Sequence, residues 1–233
     1  MNKSGRETSG FLAELAGEAT QKLEAKRTRE QDHQAMTQSV NAALERTFQF
    51  FNLFGKHLDT LEPEIPRVYV LDGKTMFTQL KWKAGRVDYR KQGMADNALM
   101  DHVLFHVSLA VSEPVVLSRS WDKFEETKKE LQILGLRPMG DLDVLWKSRP
   151  QRDIFEVLLA PEFSIRMNFQ GSYDDGSVQL SCKNLKGFGV DTFKLQPENI
   201  QTGLLDDIAR FMIGRADSLP QGLLRTRVMK RPE

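Results

Sequence analysis

Thiols are nearly missing from this chain of 233 residues. Cys182 is the one cysteine, so an intramolecular disulfide is excluded and no pair of thiolates is available for zinc. A reducing compartment suits such a sequence. Long apolar runs are missing too. Residues 1–30, MNKSGRETSGFLAELAGEATQKLEAKRTRE, contain no signal-type apolar core. No later window approaches the ~18 consecutive apolar residues of a membrane span. These absences predict a soluble, cytoplasmic chain with no membrane partner. An excess of one charge is also lacking: Lys+Arg 33 against Asp+Glu 32 leaves a net +1. That balance excludes a whole-chain field drawing the protein to nucleic acid or an anionic surface. Any polyanion must be met by a local patch.

Signatures of chemistry are sparse. There is no G-x-S-x-G, and Cys182 sits between Ser181 and Lys183 in a strand-like run with no nearby base aimed at it. It reads as a small apolar filler. Gly187 and Gly189 in NLKGFGVDTF lack the third glycine and the strand-then-helix setting of a dinucleotide loop, which leaves a glycine-bearing turn. The acidic pairs Asp141 and Asp143, Asp174 and Asp175, and Asp206 and Asp207 read as turn or solvated-helix residues before paired catalytic carboxylates. His102 and His106 form H-x-x-x-H, which on a helix brings both imidazoles to one face. On a strand the same spacing separates them by ~13 Å, too far to share one ion. The β-rich VSLAV that follows, with no Glu inside the motif and no third ligand, favours the strand. No catalytic residue, metal or cofactor is assigned, and an enzyme is the least supported class.

What is present is patterning. With 40% hydrophobic and 28% charged residues, the composition fits a folded domain carrying a polar appendage better than a disordered chain. Residues 1–9 read as a loose tail. From Phe11 the residues Leu12, Leu15, Ala16, Ala19 and Leu23 recur at helical spacing. The following EAKRTREQDHQA is rich in helix formers yet almost devoid of apolar residues, so over residues 24–35 the helix either continues as a solvated rod or breaks. A second stripe then runs through Met36, Val40, Ala43, Leu44, Phe48, Phe51, Phe54, Leu58 and Leu61, an arc of roughly 140° at helical pitch. Phe50 widens it slightly and Leu53 falls outside. Pro63 and Pro66 stop the helix.

Beyond Pro66 the period changes to that of strands. RVYVLDGKTMFTQLKW predicts a hairpin at Asp72-Gly73, KWKAGRVDYRKQ a second one near Ala84-Gly85, and Asp175-Gly176 a further tight turn. ALMDHVLFHVSLAV reads as a long buried strand or partly as helix. PVVLS, LDVLWK, DIFEVLLA, FSIRMNFQ, SVQLSCK and GVDTFKL read as further strands. Two amphipathic helices interrupt them: one from Ser120 to Gly135 with Phe124, Thr127, Leu131 and Leu134 on one face, the other with Ile200, Leu204, Leu205, Ile208, Phe211 and Met212 and a stop at Gly214. Strands in consecutive runs predict an α+β fold: a long N-terminal helical region over residues 10–62, then an antiparallel β-sheet domain with two amphipathic helices over 67–214, then a basic tail over 215–233.

Two surfaces follow from this reading. The long helix exceeds what a small domain can cover, so a non-enzymatic interaction protein is expected. It self-associates as a homodimer, with a coiled-coil-like N-terminal helix and Leu44, Phe48, Phe51, Phe54 and Leu58 as the partner-binding stripe. The alternative is a nucleic-acid-associated accessory protein that uses the basic, aromatic segment 81–91. There Lys81, Lys83, Arg86, Arg90 and Lys91 would meet phosphates while Trp82 and Tyr89 stack on bases. Against that alternative, period-2 alternation would turn Trp82, Val87 and Tyr89 into the core and leave the cations on a solvated face.

Overall fold

The computed structural model describes residues 5–95, 98–148 and 153–224. The chain forms two units, residues 1–39 and 40–233. Helix α1 runs Gly5–Leu61, so residues 24–35 are helical rather than a break, and the tail expected over residues 1–9 is already helix from Gly5. In the first unit every side chain over residues 10–35 is exposed. Its local support comes from the helix itself: the Thr20 hydroxyl donates to the Ala16 carbonyl at 2.8 Å, and Lys26 lies 3.9 Å from Glu30.

In the second unit the last turns of α1 lie on a sheet. Val40, Ala43, Leu44, Thr47, Phe51 and Leu58 are buried, whereas Leu53 and Leu61 are 58% and 65% exposed. Leu61 therefore stands outside the stripe assigned to it. It closes the helix, Glu62 takes φ 43°, and Pro63 prevents another turn.

All of the sheet pairing is antiparallel. The main sheet contains β1 (Glu64–Ile65), β4 (Leu80–Lys91), β5 (Met100–Ala110), β8 (Glu162–Ser172), β9 (Ser177–Lys183) and β10 (Val190–Leu195), in the order β1-β4-β5-β8-β9-β10. A small hairpin pairs β2 (Tyr69–Val70) with β3 (Met76–Phe77). A separate ladder pairs β6 (Val115–Ser120) with β7 (Ile154–Leu159). Between β6 and β7 come α2 (Phe124–Leu134) and α3 (Leu142–Lys147), so the whole β6–β7 layer is inserted where β5 crosses to β8. Val111 donates to the Pro161 carbonyl at 2.9 Å and closes the neck of that insertion. Helices α4 (Thr202–Met212) and α5 (Gln221–Leu224) follow the sheet. Leu219 and Leu223 are buried, which anchors the start of the expected basic tail; its Arg225, Arg227, Lys230 and Arg231 lie outside the described residues.

One face of the main sheet is apolar and carries the core. Val103, Phe105, Val107 and Leu109 of β5 pair with Phe169, Met167, Ile165 and Phe163 of β8, and all are buried. Phe51 covers them, its ring stacked on Phe105 at 4.7 Å between centroids and 5.8 Å from Phe169.

Three local expectations need correction. The expected hairpin at Ala84-Gly85 does not form, because β4 is one strand from Leu80 to Lys91 with a bulge between Trp82 and Ala84. Gly85 is there for close approach. A Cβ on it would lie 2.5 Å from the Trp82 ring and 3.3 Å from the Cα of Gly55 on α1. Second, LDVLWK is helix α3 rather than a strand. Asp141 caps it by accepting from the Asp143 amide at 2.8 Å, and Trp146 packs 4.8 Å from Phe124. Third, the Asp72-Gly73 turn is wider than a two-residue hairpin. Gly73 has φ 77°, but Asp72 closes the loop with its carboxylate, which accepts from the amides of Lys74 at 3.1 Å and Thr75 at 2.6 Å.

Candidate functional site

The aromatic stripe on α1 is spent on the chain's own core. Leu44 and Phe51 are 0% exposed and Leu58 4%, leaving a partner only the edges of the half-buried Phe48 and Phe54. Even these are engaged, Phe48 against Tyr89 at 4.9 Å and Phe54 against Trp82 at 6.0 Å. As a partner-binding set, Leu44, Phe48, Phe51, Phe54 and Leu58 are therefore corrected to packing residues of the helix–sheet interface. Apolar side chains without cover lie earlier on the helix: Phe11, Leu12, Leu15 and Leu23 are 59%, 64%, 43% and 68% exposed.

The basic segment divides between two faces of β4. Trp82 is buried, and its indole Nε1 donates to Asp59 Oδ1 at 2.7 Å. It cannot stack on a base, and Tyr89 is already in edge contact with Phe48. Lys81 pairs loosely with Glu64 at 3.9 Å, Lys83 pairs with Glu162, and Lys91 closes the strand half-buried. Arg86 and Arg90 are exposed on the sheet face opposite the core. Arg86 and Arg90 remain exposed, whereas of the two aromatic residues Trp82 is buried and Tyr89, 50% exposed, lies on the other face of the strand.

That second face is polar across the sheet. His102 and His106 lie on it, and because β5 is a strand they are ~13 Å apart along it. His102 Nδ1 lies 2.9 Å from Asp101 Oδ2. The His106 imidazole is depressed below its usual pKa by burial first, then by Arg166 and Arg86, with Asp88 pulling the other way. Among the described residues no group of three His, Cys, Asp or Glu side chains is placed to hold a metal ion. Cys182 is fully buried in the apolar layer, and burial pushes its thiol far above the thiolate range.

Several of the remaining singled-out residues have structural partners. Asp143 pairs with Lys128, and Asp206 with Arg210 at 2.8 Å. Asp175 accepts from Lys194 at 2.7 Å and from the Ser177 hydroxyl at 2.6 Å, the lysine first among the causes that hold its carboxyl well below the usual range. The loop carrying Gly187 and Gly189 is a turn closed by Asn184, whose amide donates to the Gly189 carbonyl at 2.7 Å. Sequence reasoning passed over Asn184. It is fully buried at φ 59°, and its Nδ2 donates to the carbonyls of Leu134 and Ser164, both at 2.9 Å, tying the end of α2 to the sheet. Its only sequence signal is an Asn just ahead of a glycine-bearing turn.

Arg67 was also passed over. It donates to the carbonyls of Leu185, Lys186 and Phe211 at 3.0, 2.9 and 3.2 Å and lies 4.1 Å over the Phe211 ring. It works as a clamp on the end of α4.

No described helix is long and apolar enough to cross a membrane. Comparison with protein-family models, curated protein sequences and solved structures found no match. Function must therefore be argued from this chain's own residues.

Proposed function

We propose that this chain is a non-enzymatic interaction protein of the cytoplasm that self-associates, with helix residues 11–23 as its contact surface and a second copy of itself as the occupant. The observation that carries the reading is the exposure of Phe11, Leu12, Leu15 and Leu23 on one helix. A lone solvated helix has little to hold it, since nucleation is costly and tertiary packing supplies most helical stability. Gly10 and Gly17 weaken this stretch by about 1 kcal/mol each relative to Ala, and nothing lies within 4 Å of where their Cβ atoms would be. A partner that buries the stripe supplies the missing stabilisation, at about 25 cal/mol per Å² of apolar surface.

Charge favours a second copy. Glu14 and Glu18 are the acids of residues 11–23 and Lys22 the one base, with Lys26, Arg27 and Arg29 following among Glu24 and Glu30, the last 3.9 Å from Lys26. Antiparallel, coiled-coil-like pairing of two such helices centred at Thr20 sets Glu14 against Lys26 and Glu18 against Lys22.

Sedimentation equilibrium of the full chain tests this directly. A dimer is expected at tens of micromolar, reduced to monomer by the triple substitution L12E/L15E/L23E, with the urea midpoint of the sheet domain unchanged. A wild type that stays monomeric at 100 µM refutes the proposal.

A further inference from the structure

The polar face of the main sheet carries a row of basic side chains that strand register alone brings together. Arg86 of β4 pairs with His106 of β5, His106 with Arg166 of β8, and Arg166 with Lys183 of β9. At ~4.8 Å between neighbouring strands the row crosses ~14 Å of surface. Arg166 and Lys183 are like charges directly opposite one another, which destabilises a sheet, and Arg86 adds a third cation across the His106 imidazole. Nothing in the ion pairing of the described residues offsets them: Arg86, Arg166 and Lys183 take part in none of the ion pairs, whereas neighbouring Lys83 and Arg137 share Glu162. Lys183 is the outlying member, its ammonium lying over Gly135 at the C-terminal end of α2. Arg86, His106 and Arg166 form the centre.

Over Arg86 and His106 lie two adjoining hollows of about 310 and 230 Å³, which share His106, Ser108 and Glu162, while Arg166 lines neither. Arg86 and Lys83 line the first, Arg137 and Ser164 the second. Glu162 is neutralised by its two cations, and the two serine hydroxyls add donors. The aromatic residues of β4, β5 and β8 sit on the opposite, buried side or at its edge. A base would find nothing to stack on. The recognised feature is therefore compact negative charge rather than a nucleobase.

We propose that the hollow lined by Arg86, His106 and Ser108 is a binding site for a phosphoryl group of a small phosphorylated ligand. The Arg86 guanidinium can present a planar fork to phosphate oxygens, the Ser108 hydroxyl can satisfy another, and Arg166, on the strand beyond His106, adds positive charge from outside the lining. A bound dianion would offset the repulsion across the row and let His106 take up a proton. The charged groups around His106 are Arg86 and Asp88 from β4 and Arg166 and Glu162 from β8, Glu162 being paired with Lys83 and Arg137, so a bound anion is the added unpaired negative charge.

Inorganic pyrophosphate is the probe, titrated into the full chain by calorimetry and by NMR of the His106 ring, whose signal is identified by its loss in His106→Asn. Saturable one-to-one binding is expected, with the His106 titration moved upward in the complex. Arg86→Gln should weaken binding at least tenfold and Arg166→Gln measurably but less, through its charge alone, while Arg210→Gln, on α4, should leave it unchanged. If either glutamine variant fails to fold, the wild-type His106 shift and the other variant decide. Absence of saturable binding, an equal loss in Arg210→Gln, or a His106 titration that does not move refutes the site. So does a short single-stranded oligonucleotide that binds and is not displaced by pyrophosphate, since the face would then serve nucleic acid.

Discussion

Replacing Phe51 by Ala removes the ring at the centre of the helix–sheet interface. Its side chain is 0% exposed and lies against Phe50, Phe54, Phe105 and Phe169, at 5.2, 6.2, 4.7 and 5.8 Å between ring centroids. Truncating a buried Phe costs about 3–5 kcal/mol, from lost transfer energy and the cavity left behind. Rings on three elements, α1, β5 and β8, meet here, so none can collapse into the space without moving a strand or the helix, and the upper half of that range is expected. A domain stable by about 5–15 kcal/mol loses a large share of its margin. With a urea m-value of about 2–3 kcal/mol/M, the midpoint should fall by about 1.5–2 M.

Urea unfolding followed by tryptophan emission reads the change. Trp82 reports on this interface, and Trp121 and Trp146 on the inserted layer. Leu53→Ala is the internal comparison, because Leu53 is 58% exposed on the same helix and should shift stability by no more than about 0.5 kcal/mol. The Phe51→Ala shift should not depend on protein concentration, since the ring serves its own chain. A Phe51→Ala midpoint no lower than that of Leu53→Ala, or a shift that vanishes at high concentration, refutes the packing argument.

Two further outcomes can be measured on the same footing. Asn184→Ala leaves the Leu134 and Ser164 carbonyls without their donor in a buried site and strips a residue suited to its left-handed φ, so a loss of about 2–4 kcal/mol is expected by chemical denaturation. The pH profile should carry the mark of His106. Its folded pKa is depressed, so the unfolded chain binds the proton first, and stability present above pH ~6.5 is lost as the pH falls from there through the depressed value. His106→Asn should flatten that part of the profile, and an unchanged slope would show that the imidazole is not held neutral.

The elements legible in the sequence are those whose cause is local. Gly135 and Gly214 end α2 and the α4 region with φ 70° and 73°, and the apolar stripe from Val40 to Leu58 announces the packing face of α1. What escaped depends on partners far along the chain. Nothing near KWKAGRVDYRK says that Gly85 faces a helix glycine 30 positions earlier, so a glycine read as a turn is a point of close approach. LDVLWK alternates well enough to pass for a strand, and only the Asp-x-Asp cap and the Trp146 contacts make it helical. The basic row is invisible in sequence because its members come from four strands and meet only through register.

The bulge in β4 decides which side chains reach which face, and Asp59 holds it. Strict alternation cannot put Trp82 on the same side as Val87 and Tyr89, since one position is even and the others odd. The extra residue between Trp82 and Ala84 shifts the parity. It sends Val87 and Tyr89 inward and leaves Arg86 and Arg90 on the polar face. Asp59 Oδ1 accepts from Trp82 Nε1 at 2.7 Å and from the Gly85 amide at 2.8 Å, one donor on each side of the bulge. Removing that carboxylate should loosen the bulge before it unfolds the domain. Because Asp59 is exposed, water replaces part of what is lost, and Asp59→Ala should cost about 1–2 kcal/mol. Asp59→Asn keeps an oxygen in place and should cost less. Amide exchange at Gly85 should accelerate in Asp59→Ala well beyond the change in global stability, together with a shift in Trp82 emission. If Gly85 exchange and Trp82 emission match the wild type, the bulge is held by the strand pairing alone and Asp59 is an ordinary surface carboxylate.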